Sequence, residues 1–352
     1  MTDWLSSMQQ SFEYYTVDPS TWADVKKIDT VRSSTINRDL NAETLGSATI
    51  NMTESLGETY IRIYLVTKQN ELTEKIALGT FIIQTPSFSF NGTSQSLSLD
   101  AYTPLLELKE NPPPIGYSIL KDSNIMENAY RIIREKARAP VVESNKDDVL
   151  HRDFVSNTED TWLTFLYDLL ANAKQTFSLD EMGRILFSPI QDVAALQPVW
   201  IYNDDNSSIL YPSITVDHDL YGIPNVVEIV YSTGVETYRA RVENTNENSP
   251  ISIQNRGREI IHRVINPDIP GKPSDLQLQV YAEQTLKTLS ALEYTVSYTH
   301  AYCPVRIGDC VLLNYERAGL KNIKAKVIHQ SIECKSGCPV TEKAVFTMNL
   351  WR

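Results

Sequence analysis

The 352-residue chain has few glycines and histidines, and neither type is clustered. Its 13 glycines are so dispersed that no two lie within ten residues of each other. This excludes the dinucleotide fingerprint and the phosphate-binding loop, which both need closely spaced glycines. No two of the five histidines share a helical turn as metal ligands (His151, His218, His262, His300, His329). Because a Gly-x-Ser-x-Gly nucleophile motif is missing as well, the sequence predicts no enzyme, no catalytic residue, no cofactor and no metal site.

Positive charge and long apolar runs are also scarce. Lysine and arginine total 32 against 44 aspartates and glutamates, which gives a formal net charge of −12. Such an acidic surface repels nucleic acid, and no basic patch interrupts it. No apolar run reaches the roughly 18 residues that suggest a membrane span, and the first residues lack the basic and apolar stretches of an export signal. We therefore expect a protein without a membrane-spanning segment, made in a cytoplasm.

Four cysteines occur as two pairs, Cys303-x6-Cys310 and Cys334-x3-Cys338. They would form a four-thiolate zinc site only if two hairpins met, and neither spacing is the usual two-residue knuckle. Cys310 lies inside an apolar strand pattern, where cysteine packs as a small hydrophobic residue. We expect reduced, packing cysteines, with Cys334 and Cys338 near the tip of one hairpin.

Residues 1–110 have the pattern of β structure. Thr59–Thr67 alternates between two sets of strand-forming residues, and Ile76–Gln84 follows as a second strand. Ser87–Phe90 and Ser94–Asp100 flank Asn91-Gly92, a typical hairpin turn. Several short strands joined by turns predict a barrel or a sandwich.

Asn111 and three consecutive prolines, Pro112–Pro114, mark the predicted end of this first domain, because neither a helix nor a central strand tolerates them. The segment 111–200 then shows helical spacing around Ile125–Ile133 and Trp162–Ala173. Phe177–Phe187 follows as two short strands around an Asp/Gly turn. This pattern predicts a small α+β insert.

Residues 201–352 return to strand patterns and form the predicted third domain. Ser274-x-x-Gln277 is a capping box that opens one helix at about 274–291. The predicted strands are Val226–Tyr231, Glu236–Glu243, Arg258–Ile265, Tyr294–His300, Cys310–Tyr315, Ile323–Gln330 and Ala344–Leu350. The two β-rich regions are therefore candidates for distant copies of one domain.

Two local clusters allow a functional and an ordinary interpretation. Asp217-His218-Asp219 resembles a metal or acid–base group, but alternating side chains of a strand do not converge, so we favour a solvated loop before Tyr221. Five aromatic side chains near the N-terminus predict either core packing or an arm that docks on a neighbouring subunit (Trp4, Phe12, Tyr14, Tyr15, Trp22).

The order of segments resembles that of phage tail hub proteins. Leu78–Ile83, the hairpin after it and Leu97–Tyr102 are similar to the first domain of that family. Thr161–Leu169 and Phe177–Pro189 resemble its helix and the aspartate–glycine hairpin that follows. Pro250–Ser252, Gly257-Arg258, the helix after Ser274 and Val305–Val311 are similar to its last domain, so the resemblance extends over nearly the whole chain.

This resemblance implies a mainly β fold, with two barrel domains like those of tail tube proteins on either side of a small helical insert. It implies a structural virion protein of the tail baseplate, assembled in the host cytoplasm as a homotrimer. The expected partners are a hexamer of tail tube or distal tail protein, a central spike or tip protein, and baseplate wedge proteins. DNA would pass through an acidic lumen without specific binding.

Two other functions remain open from the sequence. One is a different baseplate component, such as a ring or wedge protein, which a hexameric assembly would favour. The other is a cell-wall hydrolase that uses scattered carboxylates such as Asp217 and Glu228. The chain contains no recognisable lysin motif, so the hub function is the primary expectation.

Overall fold

A computed structural model describes residues 2–54, 56–90, 92–93, 95–206, 208–232, 235–267 and 273–351. Strands dominate this part of the chain, as the mainly β prediction required. They are β1 (Gln9–Val17), β2 (Asp24–Lys27), β3 (Val31–Asp39), β4 (Gly46–Met52), β5 (Tyr60–Gln69), β6 (Leu72–Phe90), β7 (Gln95–Tyr102), β8 (Ser118–Ile119), β9 (Phe154–Val155), β10 (Gln175–Leu179), β11 (Ile185–Pro189), β12 (Pro198–Asn203), β13 (Leu210–His218), β14 (Val226–Ser232), β15 (Thr237–Glu243), β16 (Ile261–Ile265), β17 (Ala291–Ala301), β18 (Cys310–Tyr315), β19 (Leu320–Glu333) and β20 (Pro339–Asn349).

The five described α-helices are α1 (Leu106–Lys109), α2 (Ile125–Lys136), α3 (Trp162–Ala171), α4 (Ile253–Arg256) and α5 (Asp275–Leu289). Three of them, α2, α3 and α5, lie where the sequence pattern predicted helices. The predicted capping box of α5 is present, since the Ser274 hydroxyl accepts from the Gln277 amide and the Gln277 side chain accepts from the Ser274 amide. None of the described helices is long and apolar enough to cross a membrane.

The described chain divides into two compact units. Unit 1 comprises Met1–Ile214 and Tyr298–Ala344, and unit 2 comprises Thr215–Ser297 and Val345–Arg352. This division does not follow the predicted boundaries near residues 110 and 200, because 111–200 belongs to the same unit as 1–110. Pro112–Pro114 lie outside regular secondary structure between α1 and β8, as expected for a stiff connector.

Two groups of six strands have the same order of hydrogen-bonded neighbours. The first strand set runs β1-β5-β6-β7-β4-β3, and the second strand set runs β12-β18-β19-β20-β17-β13. Numbered along the chain within each set, both orders are first, fourth, fifth, sixth, third, second. An internal duplication explains this repeat more simply than two unrelated topologies do.

The two strand sets differ in two details of their connections. Their first strands run in opposite senses, because β1 pairs antiparallel with β5 whereas β12 pairs parallel with β18. The link between the second and third strands also differs in length. In the first set it is the short turn between β3 and β4, whereas in the second set it contains most of unit 2.

A short antiparallel ladder joins the two strand sets within unit 1. Thr35–Asp39 of β3 pairs with His329–Glu333 of β19, so both sets belong to one 13-stranded hydrogen-bonded sheet. The first strand set encloses an aliphatic core, to which Ile50, Ile63 and Leu99 each contribute a side chain with no exposed area.

The insert has its own core inside unit 1, formed where α2 and α3 pack together with the β10–β11 hairpin. Leu166 and Phe165 of α3 are fully buried there, and the same cluster includes Tyr60 of β5 and Trp22 from the connection between β1 and β2. In unit 2, α5 packs on the three-stranded sheet β15-β14-β16 through Leu278, Ala282 and Leu286, and this buried stripe explains why the helix forms.

Candidate assembly surface and buried polar cluster

The β6–β7 hairpin presents exposed aromatic side chains. Phe88 and Phe90 lie two residues apart on one face of β6 and are 60% and 63% exposed. At Ser89↔Ser96 and Phe90↔Gln95 the sheet is only two strands wide, because the pairing of β7 with β4 ends at Leu97. Gly92 of the predicted turn has φ +91°, whereas Asn91 lies outside the described residues. Large exposed aromatics on a narrow hairpin are typical of a surface that another protein covers.

The first strand of the second set offers another apolar surface. Val199 and Ile201 lie on one face of β12 and are 54% and 53% exposed. In the described part of the chain β12 pairs only with β18, so its other edge carries no ladder. An uncovered edge with apolar side chains is an aggregation hazard unless another strand or subunit covers it.

A cluster of polar side chains is buried inside the second strand set, within unit 1. His300 of β17 and Glu342 of β20 have no exposed area, and His300 Nε2 lies 3.2 Å from Glu342 Oε1. The Tyr298 hydroxyl donates to Glu342 Oε2 at 2.8 Å, and the Tyr202 hydroxyl lies 3.4 Å from the same oxygen. His300 Nδ1 lies 2.7 Å from the Ala301 carbonyl oxygen, to which it donates.

Both charges of this pair are favoured despite their burial. Burial lowers the pKa of His300, but the Glu342 carboxylate and the contact with Cys303 outweigh it and raise that pKa to about 10. Burial raises the pKa of Glu342, but His300 and the donors around its carboxylate lower it below the usual value. The cluster is therefore a buried ion pair, in which loss of one partner leaves an uncompensated charge.

A chain of hydrogen bonds connects this pair to the first strand set. Gln330 Nε2 donates to Glu342 Oε1 and to the Val305 carbonyl oxygen. Arg38 Nη1 donates to Gln330 Oε1 at 3.0 Å, and Arg38 Nη2 donates to the Leu78 carbonyl oxygen at 2.7 Å. The cluster was not predicted from the sequence, in which His300 is isolated from the other histidines. One feature of the sequence does point to it: Glu342 occupies a position that alternation with Val340, Ala344 and Phe346 predicts to be buried, and a buried carboxylate needs a partner.

All four cysteines are buried and free of disulfides. The Cys303 thiol contacts the polar cluster, with Sγ 3.3 Å from the Tyr202 hydroxyl, whereas Cys310 contacts the carbonyl oxygen of Val311. Cys334 and Cys338 belong to the same apolar core as the first strand set, and burial raises the pKa of the Cys334 thiol to about 11. Within the described ranges no group of three or more His, Cys, Asp or Glu could hold a metal.

The carboxylates considered for hydrolysis lie in ordinary surroundings. Asp217 is exposed near the end of β13, so the predicted loop at Asp217-His218 is instead the last part of a strand. Glu228 accepts from Arg241 and Arg263 on the two neighbouring strands, and these arginines lower its pKa. A carboxylate held ionised between two guanidinium groups is poorly suited to act as a general acid.

The N-terminal aromatic residues pack within unit 1. Tyr14 is buried and its hydroxyl lies 2.9 Å from Ser34 Oγ, while the Trp22 ring packs edge-on against Tyr60 at 4.8 Å. Phe12 is partly buried against the core of the first strand set. Two edge-on ring contacts complete the group, Trp4 with Tyr302 and Tyr15 with Tyr64. This is the core-packing alternative of the two that the sequence left open.

The aspartate–glycine turn of the β10–β11 hairpin docks directly on the first strand set. Gly183 has φ +76°, and a Cβ atom there would lie 2.7 Å from the Cβ atom of Thr80 on β6. The carbonyl oxygen of Met182 accepts from Trp22 Nε1 at 2.7 Å and from Arg62 Nη2 at 3.1 Å. Only glycine combines this backbone conformation with so close an approach, which explains the turn that the sequence singled out.

Comparison with known proteins identifies the fold. No protein-family model matches the chain, and no curated protein matches it in sequence. The chain is similar in structure to the tail protein from Neisseria meningitidis MC58, with a TM-score of 0.59 at 12% identity over 97% of this chain and 98% of that one. It is equally similar to the 43 kDa tail protein of prophage MuSo2 from Shewanella oneidensis, with a TM-score of 0.60 at 12% identity over 96% and 98% of the two chains.

A third similar structure comes from a complex of two proteins. A chain of the lidded Francisella PdpA-VgrG complex matches with a TM-score of 0.55 at 9% identity, over 98% of this chain and 53% of that one. The chain therefore has the fold of phage tail proteins, and the resemblance noted in the sequence is confirmed at the level of the fold.

Proposed function

We propose that the protein is a structural tail hub, three copies of which join a six-fold tail tube to a three-fold spike or tip. The observation that carries this proposal is the repeated strand order within one chain. A ring of six near-equivalent domains requires six copies of one domain, and three chains supply them if each contributes both strand sets. The fold shared with two tail proteins supports the same class of function.

The exposed apolar features provide the contacts that this assembly needs. The hairpin that carries Phe88 and Phe90 and the uncovered edge at Val199 and Ile201 would lie against neighbouring chains or the tube ring. The partners are then a hexamer of tube or distal tail protein on one face and a spike or tip protein on the other, with wedge proteins outside. The similar VgrG complex also combines such a fold with a partner protein.

The proposed location is the tail baseplate of a virion, reached by assembly in the host cytoplasm. DNA would cross the central opening without specific binding, because a chain with a net charge of −12 repels phosphates. We also propose that the protein performs no catalysis, a view supported by the pairing of Glu228 with two arginines. Zymography on cell walls tests this. A cleared zone made by the native protein but not by a heat-denatured control would contradict the proposal, and loss of that zone in Glu228→Gln protein would assign the activity to this carboxylate.

Stoichiometry tests the hub assignment most directly. Native mass spectrometry of the purified protein, alone and mixed with a hexameric tube or distal tail protein of the same tail, should show three chains bound to one hexameric ring. A Phe88→Ser/Phe90→Ser variant should lose this complex while keeping its fold. Six chains per ring would contradict the hub and support a ring or wedge component instead.

A further inference from the structure

Unit 1 contains a cavity of about 550 Å³ where three of its parts meet. One side is formed by β3 and β6 at Arg38 and Gly79, and a second side by the loop 306–309 together with Lys326 of β19. The remaining side is the β10–β11 hairpin. A volume of this size is typical of pockets that hold small organic ligands.

Residues from both faces of the hairpin line this cavity, and one of these faces carries hydroxyl groups. Thr176 and Ser188 are direct cross-strand partners, and Ser178 pairs with Leu186 two residues further along each strand. Because side chains two residues apart point to the same side of a strand, all four share one face. The opposite face, which carries Phe177, is buried in the core of the insert. In the part of the chain that the structure describes, the three hydroxyls make no hydrogen bond, although each lines the cavity and is partly buried.

The acidic side chains around the cavity already have partners. Glu181 accepts from Arg306 Nε and lies 3.7 Å from Arg38 Nη2. Asp180 accepts from the Arg184 side chain, and Asp309 accepts from the backbone amide of Arg306 at 2.8 Å. The carboxylates of the lining are therefore neutralised or hydrogen-bonded within unit 1.

Lys326 differs from the other cations of the lining. Arg38 and Arg306 are engaged with Glu181 and with the carbonyl oxygens of Leu78 and Leu179. Among the residues described, the Lys326 ammonium makes no ion pair or hydrogen bond. Free donors therefore accumulate in this cavity, one ammonium and three hydroxyls, beside an apolar lining that includes Phe81, Leu186 and Ile307.

We propose that this cavity is a binding site for a small organic oxyanion with an apolar body. Oxyanions accept charge-assisted hydrogen bonds from ammonium and hydroxyl donors, and the apolar lining accommodates the rest of the molecule. The proposal concerns the interior of one unit and does not depend on the assembly of three chains.

Methyl NMR of the full chain with 13C-labelled leucine tests the proposal, because Leu45, Leu78, Leu179, Leu186 and Leu196 all line the cavity. The probes are benzoate and phenyl phosphate, with benzamide as the uncharged analogue of benzoate. We expect at least one of the two anions to shift these leucine signals, and benzamide to bind at least about tenfold more weakly. The anion that binds better identifies the head group.

Substitutions then locate the anion. Lys326→Met keeps most of the unbranched side chain and removes the charge, so it should weaken binding by about tenfold or more. Lys321→Met is the matched control, since Lys321 is an exposed residue of the same strand paired with Glu316, and it should bind as the wild type does. Thr176→Val, which keeps the shape and removes one hydroxyl, should weaken binding several-fold and serves if the Lys326 variant misfolds. The proposal is overturned if neither anion shifts the leucine signals, if benzamide binds as well as benzoate, or if both lysine variants bind equally.

Discussion

The two strand sets of the chain share one strand order but differ in what they enclose. The first set encloses aliphatic side chains such as Ile50 and Ile63, whereas the second set buries the ion pair of His300 and Glu342. Their equivalent hairpins differ as well. The β6–β7 hairpin extends to exposed phenylalanines, while the β19–β20 hairpin ends in the buried thiols of Cys334 and Cys338.

This comparison shows that strand order is compatible with different interiors. A sheet needs alternating inward and outward side chains, and the inward residues must be either apolar or mutually satisfied polar groups. The first set meets this requirement by hydrophobic burial, in which truncation of a side chain loses packing but leaves no uncompensated charge. The second set meets it through a hydrogen-bond network that fails when one member is lost.

Glu342→Ala should therefore be the most damaging of the substitutions considered. It leaves His300 buried without its counter-charge, and we expect the free energy of unfolding to fall by about 3–5 kcal/mol. Glu333→Ala on β19, whose side chain is 46% exposed, is the matched control and should change it by less than about 0.5 kcal/mol. Denaturation followed by tryptophan fluorescence measures both, since Trp4, Trp22, Trp162 and Trp200 lie in unit 1. Equal effects of the two variants would contradict the ion pair.

Gly183→Ala should be the next most damaging change, and it probes a contact made by the first strand set. The added methyl group meets Thr80 in a backbone conformation that alanine resists, so we expect a loss of about 2–4 kcal/mol. Gly116 has nearly the same φ, +75°, but no atom within 4 Å of an added Cβ. Gly116→Ala should therefore cost only about 1 kcal/mol. The same denaturation measurement separates the two, and a smaller loss for Gly183→Ala than for Gly116→Ala would refute the close approach.

The pH dependence of stability should come from the second strand set. The pKa of His300 is raised to about 10 from 6.5, so the stability from its charge is complete below pH 6.5 and is lost as the pH rises toward 10. Between about pH 7 and pH 8.5 the loss is at most about 2 kcal/mol. A His300→Leu/Glu342→Leu protein should have a lower free energy of unfolding, because the tyrosine hydroxyls lose their acceptor. Its free energy of unfolding should not fall between about pH 7 and pH 8.5 in the way described for the wild type. Parallel stability curves for the two proteins would exclude the titration of His300.

The tip of the β6–β7 hairpin should show the smallest effect on stability. Phe88→Ser/Phe90→Ser removes side chains that are already exposed, so we expect a change within about 0.5 kcal/mol. Cys338→Ser at the equivalent hairpin places a hydroxyl in an apolar core and should cost about 1–3 kcal/mol. Thermal unfolding of both variants measures the difference. A large loss for the phenylalanine variant would mean that the first hairpin is part of the core.

Much of the fold could be predicted from the sequence, because regular alternation and helical spacing are local signals. The helices α2, α3 and α5 and the β10–β11 hairpin lie where these patterns placed them. The predicted strands Ile76–Gln84 and Ser87–Phe90 are in fact parts of the single strand β6. The Pro86 between them does not break it, because proline disrupts a strand only where its missing amide is needed for the ladder.

The missed features depend on distant parts of the chain. The parallel pairing of β12 with β18 joins residues more than 100 positions apart and leaves no local pattern. The ion pair of His300 with Glu342 likewise requires that β17 and β20 be neighbours, which only the topology decides. The cavity is missed for the same reason, since Thr176 and Lys326 reach it from separate segments.

The long connection between β13 and β17 has a consequence for the history of the molecule. It leaves and re-enters the second strand set at the place where the first set has only a short turn between β3 and β4. A duplicated gene can therefore acquire or exchange most of a folding unit at this position, the rest being Val345–Arg352, without altering the ladder that links the two strand sets. Once one strand set carries such an insertion, the two sets are no longer equivalent, and each can be selected for contacts with a different partner protein.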